Sequence, residues 1–81
     1  MSFHIVHDPP TQKIAGELYS EELYKDFYRI LQSGGKLFHY IGDPNSEHGS
    51  SITKGVIQRL KYAGFREVEK KPEVFGVLAK K

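Results

Sequence analysis

A carboxylate followed by two prolines, Asp8-Pro9-Pro10, stands just after the apolar segment Ser2–Val6. Phe3, Ile5 and Val6 favour a strand, and their mixed pattern suits one buried on both faces. Two prolines cannot continue a ladder, so the strand ends there. That leaves Asp8 and the Pro9 carbonyl at the carboxyl edge of a sheet, where open α/β folds bind ligands. Asp8 in that place either shapes a turn or meets a ligand. His7 either lines the same crevice or bonds a backbone carbonyl. Tyr19 either reaches the site or ties down the backbone. His39 and Tyr40, adjacent on a later strand, point to opposite faces and are either packed core residues or further walls of the crevice.

Other chemistry is thinner. The histidines His4, His7, His39 and His48 include no pair at the i, i+4 helix spacing of a zinc site, and no cysteine assists them, so no metal is expected. The absence of cysteine also excludes disulfides and a thiolate nucleophile. Asp43-Pro44-Asn45 reads as a turn, and with Glu47 and His48 it forms a polar loop that could also gate a substrate. Twelve basic and ten acidic residues leave a net charge of +2, too balanced to argue for nucleic acid. Lys70, Lys71, Lys80 and Lys81 are interrupted by Glu67, Glu69 and Glu73 and read as a solvated sheet edge. No apolar run approaches the ~20 residues that span a bilayer, and residues 1–30 carry no signal-peptide pattern. The expected location is therefore the cytoplasm.

The elements that must position these residues follow from local signals. A chain of 81 residues is one domain or part of one, with room for one modest core. Five Phe and five Tyr argue against disorder. Residues 11–19 read as a loop with some helical tendency. Ser20 then caps a helix with Glu21 and Glu22 in its first turn, and Leu23, Phe27, Ile30 and Leu31 form its apolar stripe. Gly34-Gly35 is expected to end it. Lys36–Ile41 is the second strand, and Gly42 to Asn45 the turn after it. Ser50 or Ser51 caps a second helix with the stripe Ile52, Val56, Ile57, Leu60 and Ala63. Gly55 inside it is expected where the helix approaches the sheet. Gly64 ends the helix, and Phe65 packs back. Arg66–Lys71 reads as an edge strand, Pro72-Glu73 as a turn and Val74–Ala79 as the last strand, in an antiparallel hairpin. The order β-α-β-α-β-β with right-handed crossovers describes an α/β fold with three parallel strands plus one antiparallel.

This order and these motifs resemble the carboxyl-terminal half of class I S-adenosylmethionine-dependent methyltransferases. His7-Asp8-Pro9-Pro10 is similar to the Asn/Asp/Ser-Pro-Pro-aromatic motif of amino-directed methyltransferases. The stretch HDPPTQKIAGELYS from His7 to Ser20, with Gly34-Gly35-Lys36-Leu37-Phe38-His39-Tyr40, resembles a family of predicted archaeal methyltransferases over nearly the whole chain. The resemblance implies that residues 1–81 form half of a Rossmann-like sheet with strand order 1-2-4-3. It assigns Asp8 and the Pro9 carbonyl the task of accepting the two N–H bonds of an amine, in a segment stiffened by Pro9 and Pro10. It places His7, Tyr19, His39 and Tyr40 around the acceptor. Thr11 departs from the motif, which usually carries an aromatic after the second proline.

The cofactor that the resemblance implies is S-adenosylmethionine. The glycine-rich turn and the ribose-binding acid that would hold it have no counterpart here, and Gly34-Gly35 lies between a helix and a strand, the reverse of a cofactor turn. The isolated chain is therefore expected to bind the cofactor weakly or not at all. The edge of strand 2–6 is expected to pair with a second chain, as a homodimer, or with a cofactor domain. The competing readings are a small self-associating protein without catalysis and an RNA- or protein-binding accessory module, against which the modest charge speaks.

Overall fold

The computed structural model describes residues 2–9, 16–42 and 47–81. Strand β1 (Ser2–His7) leads to a 3-10 turn at Gly16–Tyr19, helix α1 (Glu21–Ile30), strand β2 (Leu31–Tyr40), helix α2 (Glu47–Ala63) and the hairpin strands β3 (Glu67–Lys71) and β4 (Gly76–Lys80). Ser20 caps α1 as its residue type requires. Its hydroxyl accepts the Leu23 N–H at 3.2 Å and donates to the Glu17 carbonyl at 2.8 Å, tying the helix to the turn before it.

The end of α1 differs from the expectation. The helix stops at Ile30 and passes directly into β2, so Gly34-Gly35 does not cap it. The Lys81 ammonium meets the last turn instead, donating to the Tyr28 and Leu31 carbonyls at 2.6 and 2.7 Å, where the helix dipole favours a cation. Gly34 and Gly35 lie within β2. There Ser2 pairs with Leu31 and His4 with Lys36, so β2 carries extra residues against β1 as a bulge. Gly34 takes φ 84, which glycine alone adopts without strain. A Cβ at Gly35 would stand 2.8 Å from the Gln32 carbonyl oxygen and 2.9 Å from that of Phe3.

The apolar stripe of α1 is also rotated. Tyr24 is fully buried, Leu23 and Phe27 are partly buried, and Ile30 is exposed. On α2 the expected stripe holds, with Val56 and Leu60 in the core. The helix begins at Glu47, ahead of Ser50 and Ser51. Its end is a Schellman motif: the Gly64 N–H reaches the Lys61 carbonyl, the Phe65 N–H reaches the Leu60 carbonyl, and Phe65 is buried. Gly55 makes room for a side chain, not for the sheet. A Cβ there would stand 2.9 Å from Nη1 of Arg59.

The strand order is β1-β2-β4-β3, as expected. The β1–β2 ladder is parallel, and the β2–β4 and β4–β3 ladders are antiparallel. Parallel pairing is thus smaller than three parallel strands suggest, because β4 inserts between β2 and β3 and leaves β3 with no parallel neighbour. The last strand begins at Gly76, since Pro72–Val74 forms a 3-10 turn and Phe75 is left-handed. Both helices cover the face that carries Leu37, His39, Val77 and Ala79. No described element covers the other face. β1 is an outer strand, with Phe3 63% and Val6 68% exposed, where its composition suggested burial on both sides.

The bulge sets a packing limit. Gly35→Ala is expected to lower stability by roughly 1–3 kcal/mol, because backbone oxygens cannot yield to the added methyl. Gly16→Ala, with nothing within 4 Å of the new Cβ, should leave the urea midpoint nearly unchanged.

Candidate functional site

Parallel pairing brings the ends of β1 and β2 to one rim. His7 is opposite His39, so Asp8 and Pro9 follow at the same edge as Ile41 and Gly42. β4 runs the other way and starts there, with Gly76 opposite Tyr40. The Phe75 carbonyl accepts the N–H groups of Ile41 at 2.9 Å and Gly42 at 3.2 Å, which locks the hairpin turn to the end of β2. Asp8 is exposed and Pro9 is partly buried. Pro10, Thr11, Asp43 and Asn45 lie outside the described residues. Glu47 and His48 belong to α2, not to a loop.

Beneath the rim lies a buried polar cluster. His39 has no exposed surface. Its Nδ1 is 2.9 Å from the Tyr40 carbonyl, which can only accept, so Nδ1 carries the proton. Its Nε2 therefore accepts, and the Tyr24 hydroxyl donates to it at 2.8 Å. His7 stands beside it, with ring centroids 4.6 Å apart, and its Nε2–H donates to the Leu18 carbonyl at 2.7 Å. The Tyr19 ring packs 5.0 Å from His39. The carbonyl of Tyr19 accepts from Arg59 Nε at 2.8 Å, while Nη2 of that guanidinium is buried without a partner.

Electrostatics follow from this enclosure. Burial pushes the His39 imidazole down to about 3, and the side-chain charges of His7 and Arg59 push the same way, against the backbone of Tyr40 and of His7. Burial raises Tyr24 far above the usual phenol range. It raises Tyr19 too, helped by the Asp8 carboxylate. At neutral pH the cluster is thus an uncharged imidazole held by protonated phenols beside a guanidinium. His39 cannot serve as a surface base, because both nitrogens are occupied and the ring is enclosed. It supports the rim from below, and Asp8 is the rim's exposed carboxylate.

Of the residues singled out by sequence, His7, Tyr19 and His39 converge beneath Asp8. Tyr40 stands on the opposite face, 39% exposed. Two members of the cluster had no sequence-level reading. Tyr24 lies at helical spacing from Leu31, and Arg59 follows Gly55 by one turn; those spacings were the available signals. Among the described residues no three His, Asp or Glu side chains gather as a metal site would require. No helix of the described residues is long and apolar enough to cross a membrane.

The chain is 47% identical over 78 residues to an uncharacterized protein of Methanocaldococcus jannaschii, a match that takes in 95% of this chain and 27% of the relative. The chain thus spans about a quarter of that relative's length. No protein-family model matches the chain.

His39 makes stability depend on pH with a definite sign. The unfolded imidazole takes up a proton near its ordinary 6.5, and the folded one only near 3. Its contribution is complete above pH 6.5 and is lost as pH falls, at up to about 1.4 kcal/mol per pH unit. Urea unfolding between pH 7 and 4.5 should show that slope, and His39→Gln should flatten it. Tyr24→Phe, which strips the donor from a buried acceptor, should cost about 1–3 kcal/mol at pH 7.

Proposed function

We propose that this chain is the acceptor-binding half of a class I S-adenosylmethionine-dependent methyltransferase acting on an amine or similar nucleophile. The observation that carries the reading is the position of Asp8 and Pro9: an exposed carboxylate and a proline carbonyl, directly after β1, at the rim where β1 and β2 end together. A carboxylate and a carbonyl so placed accept the two N–H bonds of an amine and aim its lone pair outward from the rim. Pro9 has its φ fixed by its own ring, and the proline that follows it in sequence restricts the ψ that turns its carbonyl, so little entropy is lost when the acceptor is oriented. The His7 to Leu18 bond and the cluster beneath hold the segment in place.

The described residues do not build a seat for the cofactor. β1 is followed by Asp8-Pro9, β2 by Ile41-Gly42, and neither strand leads through a glycine-rich turn into a helix. S-adenosylmethionine supplies an electrophilic methyl group, and this chain's residues contribute orientation of the acceptor. The length of the M. jannaschii relative supports a division in which further sequence holds the cofactor. The outer edge of β1, with Phe3 and Val6 exposed, is where a cofactor domain or a second copy would pair. We place the protein in the cytoplasm. That same edge supports the alternative reading, a self-associating protein without catalysis.

Calorimetry tests the main reading. The full M. jannaschii relative should bind S-adenosylmethionine, and this chain alone should not do so at micromolar concentration. Failure of the longer protein to bind, or tight binding by the isolated chain, would remove the proposal. Sedimentation tests the edge: the chain should associate reversibly, and Val6→Lys should weaken that association. A monomer at high concentration would rule the pairing out.

A further inference from the structure

We propose that the sheet face that no described element covers is a self-association surface, on which a second copy of this chain packs sheet to sheet about a twofold axis running across the strands. This surface is distinct from the β1 edge and from the rim that carries Asp8. Successive side chains of a strand point to opposite faces. Ile5, Leu37, His39, Val68 and Ala79 pack toward the helices, so their strand neighbours point the other way. The middle row of that open face is Val6, Phe38, Leu78 and Glu69, each opposite the next. Toward the start of β2 lies the row Lys36, Lys80 and Glu67, and toward its end the row Tyr40, Gly76 and Lys71. No charge interrupts Val6, Phe38 and Leu78. The Phe38 ring meets Tyr40 edge-on at 4.6 Å and leans over Gly76, where a Cβ would stand 2.7 Å from Phe38 Cζ. The centre is thus a low apolar surface with lysines and glutamates around it, the plan of an interface core and its polar rim.

Charge decides between the two twofold arrangements that keep the strands of both sheets aligned. An axis along the strands would set Lys36 over Lys80 of the second copy and Val6 over Glu69 of the second copy. Like charges would meet, and a carboxylate would lose water against apolar surface. An axis across the strands, along the middle row, sets Phe38 over Phe38 of the second copy and Leu78 over Leu78 of the second copy. Lys36 then meets Tyr40 of the second copy, a cation over a ring, and Glu67 meets Lys71 of the second copy. Within one chain Lys80 pairs with Glu67 and Lys71 with Glu69, both at 3.3 Å. The dimer joins these pairs into an alternating run of four charges, twice. Its cost is Glu69 beside its own copy at the outer end of the row, where each carboxylate keeps its lysine. The face spans about 19 by 17 Å by strand spacing and rise. That is less than the ~800 Å² per partner of a standard stable interface, so the association is weak and reversible.

The chain contains no cysteine, so one introduced thiol reports one contact. Leu78→Cys should give a disulfide-linked dimer on mild oxidation, because position 78 meets its copy at the axis, and Lys80→Cys should not. Pairing through the β1 edge would leave the two copies of position 78 five strand spacings apart, about 24 Å, too far to bridge. The cross-link is therefore independent of the edge. Val6 lies on both surfaces and stays unchanged in this test. Sedimentation reads the register. Glu67→Lys alone and Lys71→Glu alone should each weaken association about threefold or more. An equimolar mixture of the two variants should associate more tightly than either, since opposite charges meet at both crossed contacts only in the mixed dimer. Repulsions that each substitution creates within its own chain are the same alone and in the mixture, so only contact between chains can tighten it. A monomer at millimolar concentration would assign the face to another partner and overturn the proposal. So would no cross-link at position 78, equal cross-linking at position 80, or a mixture no tighter than its components.

Discussion

The hydrogen bond from the Tyr24 hydroxyl to His39 Nε2, at 2.8 Å in the core, joins α1 to β2 and decides the state of everything around it. An imidazole enclosed this completely must be neutral, because a buried charge without a counter-charge is expensive. Neutrality leaves one nitrogen as donor and one as acceptor. The Tyr40 carbonyl claims the donor, so the acceptor needs a hydroxyl, and Tyr24 brings it from the helix. A buried imidazole satisfied at both nitrogens specifies one arrangement of its elements more sharply than apolar packing does.

The cluster reaches the surface through short links. His7 touches His39 by its ring and the 3-10 turn by its Nε2. Arg59 ties that turn to α2 through the Tyr19 carbonyl. Asp8 and Pro9 are next in the chain after His7, so the exposed end of β1 inherits the order of the core without being buried in it. A rim that is solvent-accessible yet tied to rigid elements is what binding or positioning chemistry requires. Arg59 Nη2 meets no hydrogen-bond partner among the described residues, though its guanidinium lies close enough to the Tyr24 hydroxyl to favour that phenol's ionised form.

Insertion of β4 between β2 and β3 shapes the rim as much as the cluster does. Because β4 is antiparallel to β2, its beginning coincides with the end of β2, and the Pro72–Phe75 turn arrives beside Asp8's edge. A parallel last strand would have placed that turn at the far end of the sheet. The crossovers from β1 to β2 and from β2 to β3 run in the same direction across the sheet, so right-handed connections put both helices on one face. The other face and the outer edge of β1 are left without cover from any described element.

The elements themselves were largely legible in the sequence. Ser20, Gly64 with Phe65, and Pro72 marked boundaries that the structure keeps, because a cap or a turn depends on atoms within about five residues of chain. The strand at residues 2–6 and its stop at the prolines were legible for the same reason. Gly34-Gly35 was not, since freedom at positive φ serves a helix end and a strand bulge equally, and only the partner strand distinguishes them. Tyr24 and Arg59 were hidden because their partners lie 15 and 40 residues away, at distances that no local pattern encodes. The sequence by itself thus determined the order and type of the elements, the start of α1, the end of α2 and which carboxylate follows the first strand. The tertiary structure decided which polar atoms meet in the core and which turn locks the end of β2, because burial and long-range pairing select among side chains whose local signals are equivalent.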